Sequence, residues 1–144
     1  MANNLFLVGR IGHSWIGISA EQVEAVVPMG EVVPVPHAPA AVKGLVAIRS
    51  RLLTLIDTNV LIGQGVSADG ALMMIISDAG HGYALTIDEV DDVVALDELK
   101  PVSAILASGW QGIATQMADN AGRAILIVEP PLLIASANGP LATA

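Results

Sequence analysis

The side chains able to move protons, hold metals or attract ions are few: three histidines, fourteen acids and six bases in 144 residues, with no cysteine. The missing thiols remove disulfides, thiolate catalysis and cysteine-ligated metals together. His13, His37 and His81 are scattered and lack the short spacing of a metal-binding motif. His13 and His81 fall in turn-like segments and read as solvent-facing, while His37 lies among prolines and reads as structural. Asp88, Glu89, Asp91 and Asp92 lack the alternating D-x-D-x-D-G pattern of a calcium loop. Their interleaving with Val90, Val93 and Val94 describes a solvated strand face instead. No G-x-S-x-G elbow or phosphate-binding loop occurs, and Gly63-Gln64-Gly65 does not continue into G-x-G-x-x-G. Neither catalysis nor a cofactor or metal is expected.

The bases are distributed more tellingly. Lys43, Arg49 and Arg51, half of all the basic residues, fall within nine positions, while Asp88, Glu89, Asp91, Asp92, Asp97 and Glu98 gather in another window. A net charge of −8 argues against nucleic acid, whose phosphates demand a basic face. One basic patch on an acidic chain suits an acidic protein partner. A solvated pair of loop charges is the plainer alternative. Trp15 and Trp110 are the largest side chains, and each could be a binding hot spot or a core filler.

Apolar residues make up 53% of the chain and charged residues 14%, enough apolar surface to build a core without staples. The longest clean apolar stretches, Ala71 to Ile76 and Ala124 to Val128, are far shorter than the roughly 20 residues of a spanning helix. Met1 to Asn4 shows no basic leader or cleavage site, so a cytoplasmic location is expected.

Strand signals dominate the elements that must position these groups. Leu5 to Ile11 and Trp15 to Ile18 read as a hairpin around Gly12-His13-Ser14. Ser19-Ala20-Glu21-Gln22 has the form of a capping box, and Val23 and Val26 share a face at helical spacing, so a helix of one or two turns is expected up to Pro28. Val32 to Pro39 carries three prolines and is expected to be extended and irregular. Gly63 to Gly70 reads as a loop. Ala71 to Ile76 and Tyr83 to Ile87 read as strands about a two-glycine turn, and Val90 to Leu96 as another. Pro101 to Gly112 is either a short helix or an irregular crossing. Arg123 to Val128 is the last clear strand, stopped by Pro130-Pro131, and the tail from about Ser136 is expected to fray. A weak internal repeat relates Gly12 to Trp15, followed by Val23 to Val27, to Gly80 to Tyr83, followed by Val90 to Val94. Taken at face value it implies two related antiparallel β units, and many short strands without long helices favour barrels or a sandwich.

The segment from Val42 to Asp57 is the most structured. Two apolar β runs, Gly44 to Ile48 and Leu52 to Ile56, flank Arg49-Ser50-Arg51 and place the two arginines at or near a tip. Gly44 permits a bulge or a close backbone approach. Asp57 can accept hydrogen bonds from loop amides.

On these residues the chain resembles the CheW family of bacterial chemotaxis coupling proteins. Members have an extended proline-containing arm, a basic residue with Gly, a β run ending in Leu-Arg-Gly, and a second run ending in Asp-Leu-Arg. Pro36 to Gly44 matches the arm and the Lys-Gly step; Ile48-Arg49-Ser50 and Ile56-Asp57-Thr58-Asn59 stand at the two ends. Phe6 to Val8 with Trp15 to Ile18 matches the opening hairpin, Val23 to Val27 the short helical segment, Tyr83 to Val90 a second-half strand, and Arg123 to Val128 the closing strand.

The resemblance implies an all-β fold of two small five-stranded β-barrels packed over a shared hydrophobic core, with one or two short helices, spanning residues 1–144 as one domain. It also implies a non-enzymatic adaptor that bridges the regulatory domain of a histidine kinase to the cytoplasmic tips of chemoreceptors. Val23, Gly44, Arg49 and Leu72 would then face the receptor, with Lys43, Arg51 and Asp57 as further partner-binding residues. Such an adaptor would sit in the cytoplasm at membrane-associated receptor arrays. Service in another chemosensory-like pathway, such as a pilus-linked one, is an alternative; a small β-barrel enzyme or ligand-binding protein using the acidic cluster is another. Four departures stand out: Ser50 in place of Gly, Ala25 where a carboxylate is common, Asn59 where Arg is common, and Pro130-Pro131 where a C-terminal helix usually starts. Ser50 must tolerate a positive φ or the tip must avoid one, and the C-terminal helix is expected to be absent or delayed.

Overall fold

A computed structural model describes residues 4–68, 70–102 and 109–137. Twelve strands, two short α-helices and one 3₁₀ turn are assigned among them, in two six-stranded sheets. The first sheet contains β1 (Leu5–Ile11), β2 (Ser14–Ser19), β9 (Glu89–Ala95), β10 (Lys100–Pro101), β11 (Ala114–Asn120) and β12 (Arg123–Val128). The second contains β3 (Ala25–Pro28), β4 (Val32–Val33), β5 (Val42–Ile48), β6 (Arg51–Ile56), β7 (Leu72–Asp78) and β8 (His81–Ile87). The helices are α1 (Thr58–Leu61) and α2 (Pro130–Ser136). The expected five strands per half become six because β10 and β4, each two residues long, extend one edge of each sheet.

The strand orders, β9-β1-β2-β12-β11-β10 and β3-β7-β8-β6-β5-β4, follow one plan. In each, two antiparallel hairpins meet through a parallel pair, β2 with β12 and β6 with β8. The weak sequence repeat has a structural counterpart here. The hairpin β1–β2 is followed by β3, which leaves the first sheet and pairs with β7; the hairpin β7–β8 is followed by β9, which leaves the second and pairs with β1. Each unit lends its third strand to the other.

Two expectations are corrected, and one strand is added. The helix over Val23 to Val27 is strand β3, preceded by a single 3₁₀ turn over Ala20–Gln22, and Ser19 makes no side-chain cap. Pairing of Ala25 to Pro28 with Ile75 to Leu72 supplies the ladder bonds that override the helical spacing. Pro130 and Pro131 begin α2 rather than deferring a helix, since proline at the first helical positions lacks only an N–H that would be unpaired anyway. Strand β11, with Thr115 and Gln116 exposed, went unread in the sequence. Ser136 ends α2 and Ala137 is buried; the remainder of the tail, and residues 103–108 of the ambiguous crossing, lie outside the described residues.

Alternation along the strands sorts the core into three parts. Met73 and Ile75 of β7 point into the second barrel with Val46, Leu53, Leu55 and Ala84. Met74 and Ile76 point the other way, into a central cluster shared with Ile16, Ile18, Trp110 and Leu133. Phe6, Val8, Ile125 and Ile127 fill the first barrel. Trp110 is a core residue whose Nε1 donates to Ser14 Oγ at 3.0 Å, while half-buried Trp15 is covered by the Arg123 guanidinium 3.7 Å from its ring centre.

Candidate functional site

The hairpin β5–β6 carries most of the candidate residues. Its register shifts between Val42 and Gly44, a bulge that brings Gly44 under β4. Gly44 has φ 146°, and a β-carbon there would stand 2.1 Å from the Val33 carbonyl oxygen. At the other end a two-residue turn closes the hairpin, with Ile48 paired to Arg51 and φ of 50° at Arg49 and 68° at Ser50. Positive φ at both turn residues matches the twist of the flanking strands. Ser50 therefore tolerates the left-handed conformation that Gly adopts freely. Ser50→Gly is expected to stabilise the protein by about 1 kcal/mol, read as a melting temperature a few degrees higher. A lower melting temperature would mean that the Ser50 side chain holds the turn in some other way.

Charge sorts the seven candidates further. Among the described residues, which include all six bases, five cations lie against an acid: Arg10 with Glu89, Lys43 with Asp57, Arg51 with Glu24, Lys100 with Asp119, and Arg123 with Asp91. Arg49 is exposed and has no acidic partner among them. The Arg51 guanidinium donates to Glu24 Oε2 at 3.0 Å and to Ser77 Oγ at 3.4 Å, while the Ser77 hydroxyl donates to Glu24 Oε1 at 2.5 Å. The Ser77 hydroxyl and the Arg51 guanidinium hold the Glu24 carboxyl below its ordinary pKa. The triangle ties edge strand β3 to β6 and β7.

Asp57 is 0% exposed and is an anchor rather than a docking surface. Its carboxylate accepts from the Asn59 and Val60 amides at 3.0 and 3.2 Å, capping α1, and from the Ser67 amide and hydroxyl at 3.0 and 2.7 Å. Lys43 Nζ lies 3.8 Å from it. The loop-amide role read for Asp57 is the one it fills.

The second barrel has two ends. At the Arg49 end a narrow seam of about 60 Å³ is lined by Ala25, Val27, Ile48, Leu53 and Ile75 beneath Glu24, Arg49 and Arg51. At the other end a cavity of about 360 Å³ lies between Met29, Val32, Pro34, Leu55 and Val66, with Lys43 and Asp57 in its wall. Leu72 faces Pro28 at one end of the β3–β7 ladder, and Val23 lies two residues before its other end at Ala25; both are half-buried against the central cluster. The structure thus brings Arg49, Arg51 and the seam together, close to Glu24 and its neighbour Val23. Gly44 and Lys43 lie further down the hairpin.

Sequence reasoning missed Glu24 and Ser77, which engage Arg51 and not Arg49, and missed Leu52, exposed at 68% beside the tip. The S-x-x-Q pattern had assigned the Glu24 region to a helix, which hid its partner across the sheet. Among the described residues no three His, Asp or Glu side chains converge as a metal site. Glu89 and Asp91 of β9 are instead engaged with Arg10 and Arg123. No described helix is long and apolar enough to cross a membrane.

Comparison with known proteins converges on one family. A CheW-like domain model matches residues 5–138. A protein named chemotaxis protein CheW from Klebsiella aerogenes is 24% identical over 135 residues, covering 91% of this chain and 81% of that one. The crystal structure of the scaffolding protein TtCheW from Thermoanaerobacter tengcongensis superposes with a TM-score of 0.81 at 19% identity, covering 93% of this chain and 89% of that one. Its likeness establishes the two-barrel fold.

Proposed function

The chain belongs to the CheW-like domain family, and from that premise we propose that it couples the cytoplasmic tips of chemoreceptors to the regulatory domain of a histidine kinase. It is a non-enzymatic scaffold, so its work is recognition. One observation carries the choice of surface. Arg49 is the basic side chain without an acidic partner among the described residues, held at a hairpin tip in a chain of net charge −8. A receptor tip is a helical hairpin. An apolar helix face fits along the junction marked by Val23 and Leu72, while a carboxylate on that helix pairs with Arg49. Gly44 shapes the hairpin by letting β4 lie close upon it. Lys43, Arg51 and Asp57 serve the framework that presents the tip.

The experiment is titration of the purified protein with a receptor-tip fragment and, separately, with the kinase regulatory domain, by calorimetry at low and high salt. Saturable binding to both is expected, with the receptor arm weakening as salt rises, because an exposed pair is screened within about 10 Å at 0.1 M salt. Absence of binding to either fragment removes the reading.

A further inference from the structure

The two barrels meet through the central apolar cluster and through a polar seam at the chain crossing. Asp88 is the one residue between β8 of the second sheet and β9 of the first. Its Oδ2 accepts from the Gly12 amide at 2.7 Å, in the β1–β2 turn, and from Asn59 Nδ2 at 2.9 Å, in α1. Its own N–H donates to the Arg10 carbonyl at 2.9 Å. The same Asn59 amide nitrogen donates to Ser67 Oγ at 3.1 Å, and the His13 amide donates to Gln64 Oε1 at 2.8 Å. A β-carbon on Gly12 would stand 1.8 Å from Gln64 Oε1 and 2.7 Å from Asn59 Oδ1, so the approach leaves no room for a side chain. Asn59 is 5% exposed, and its Oδ1 is buried without a partner among the described residues. Leaving that oxygen unpaired is costly, and the position keeps an amide because its nitrogen makes two directional bonds that no apolar side chain replaces.

We propose that Asn59 is an inter-barrel latch: its amide nitrogen, held between Asp88 and Ser67, sets the angle of one barrel on the other. Apolar burial favours contact without favouring one angle, because it is non-directional. An amide nitrogen that donates in two fixed directions, to Asp88 and to Ser67, selects one. The charged groups around the latch are Asp57, which accepts the Ser67 hydroxyl; Lys43, beside Asp57; Arg10, on the Gly12 carbonyl; and Glu89, beside Arg10.

The chain has no cysteine, so Ala47→Cys on β5 and Thr115→Cys on β11, both exposed, carry a pair of spin labels whose distance distribution reports the angle in the intact protein. A single narrow distribution is expected with Asn59 in place, at neutral and mildly acidic pH alike. Asn59→Ala is expected to broaden it. Asn59→Asp faces Asp88 with a second carboxylate and is expected to broaden it at neutral pH and narrow it again in mild acid, when the two carboxyls share a proton. A fold that was merely loosened would not tighten on acidification. An Asn59→Ala distribution as narrow as that of the parent, or an Asn59→Asp distribution indifferent to acid, overturns the latch. No partner protein is needed, so the result stands apart from the receptor-coupling reading.

Discussion

Arg49→Glu is expected to weaken binding to a receptor-tip fragment about 100-fold, roughly 2.7 kcal/mol, while binding to the kinase regulatory domain and the melting temperature are expected to stay near those of the parent. The size follows from replacing an attractive pair by two like charges at the same place. The selectivity follows from the position. Arg49 is exposed at the hairpin tip and is bound to no acid among the described residues, so its removal leaves no buried group unpaired. Surface substitutions of that kind usually change stability by no more than about 0.5 kcal/mol. Arg51→Glu is the contrasting case, because it confronts Glu24 across the β3 seam and is expected to lower stability as well. Unchanged receptor affinity in Arg49→Glu would remove Arg49 from the interface.

Gly44→Val carries the largest expected loss of stability, about 3 kcal/mol or more, and a melting temperature lower by roughly 10 °C. The first β-carbon atom would already lie 2.1 Å from the Val33 oxygen, 2.8 Å from the Val33 carbonyl carbon and 2.9 Å from Pro34 Cα. All three are backbone atoms, so no side-chain rotation relieves the overlap. The φ of 146° adds strain for any L side chain. Relief requires β4 to lift from β5, which breaks the pairing of Val32 with Val46 and of Val33 with Leu45 and uncovers the second barrel's core. A thermal melt coinciding with that of the parent would show that β4 is not held there in solution. Loss of receptor binding in a Gly44 variant therefore reports the hairpin's shape, whereas loss in Arg49→Glu reports contact.

These two positions show how unevenly the sequence discloses a site. Gly44 was legible because a glycine opening an apolar β run has few uses other than a bulge or a close approach, and both occur. Asp57 was legible for a similar reason: an acid closing a strand before a loop caps amides. Lys43, Arg49 and Arg51 were legible only as a group. Their division into two paired cations and one with no acidic partner among the described residues depends on Glu24 and Asp57 arriving from 27 and 14 residues away in the chain, and no local pattern records that. The helix read over Val23 to Val27 failed on the same ground, since the partner that makes it a strand is β7.

By itself the sequence determined the chain's character: a cysteine-free, acidic, apolar protein of short strands, with the hairpins β1–β2, β5–β6 and β7–β8 written in runs bounded by turn residues, and with a family likeness spread along most of its length. Those properties are local or additive, so they survive being read one segment at a time. Only the tertiary structure decided which strands cross between the sheets, which arginine has no acid beside it among the described residues, and that Asn59 and Asp88 meet at the crossing. Each of these is a pairing between residues distant in the chain, and its energy exists only once the fold has brought the two together.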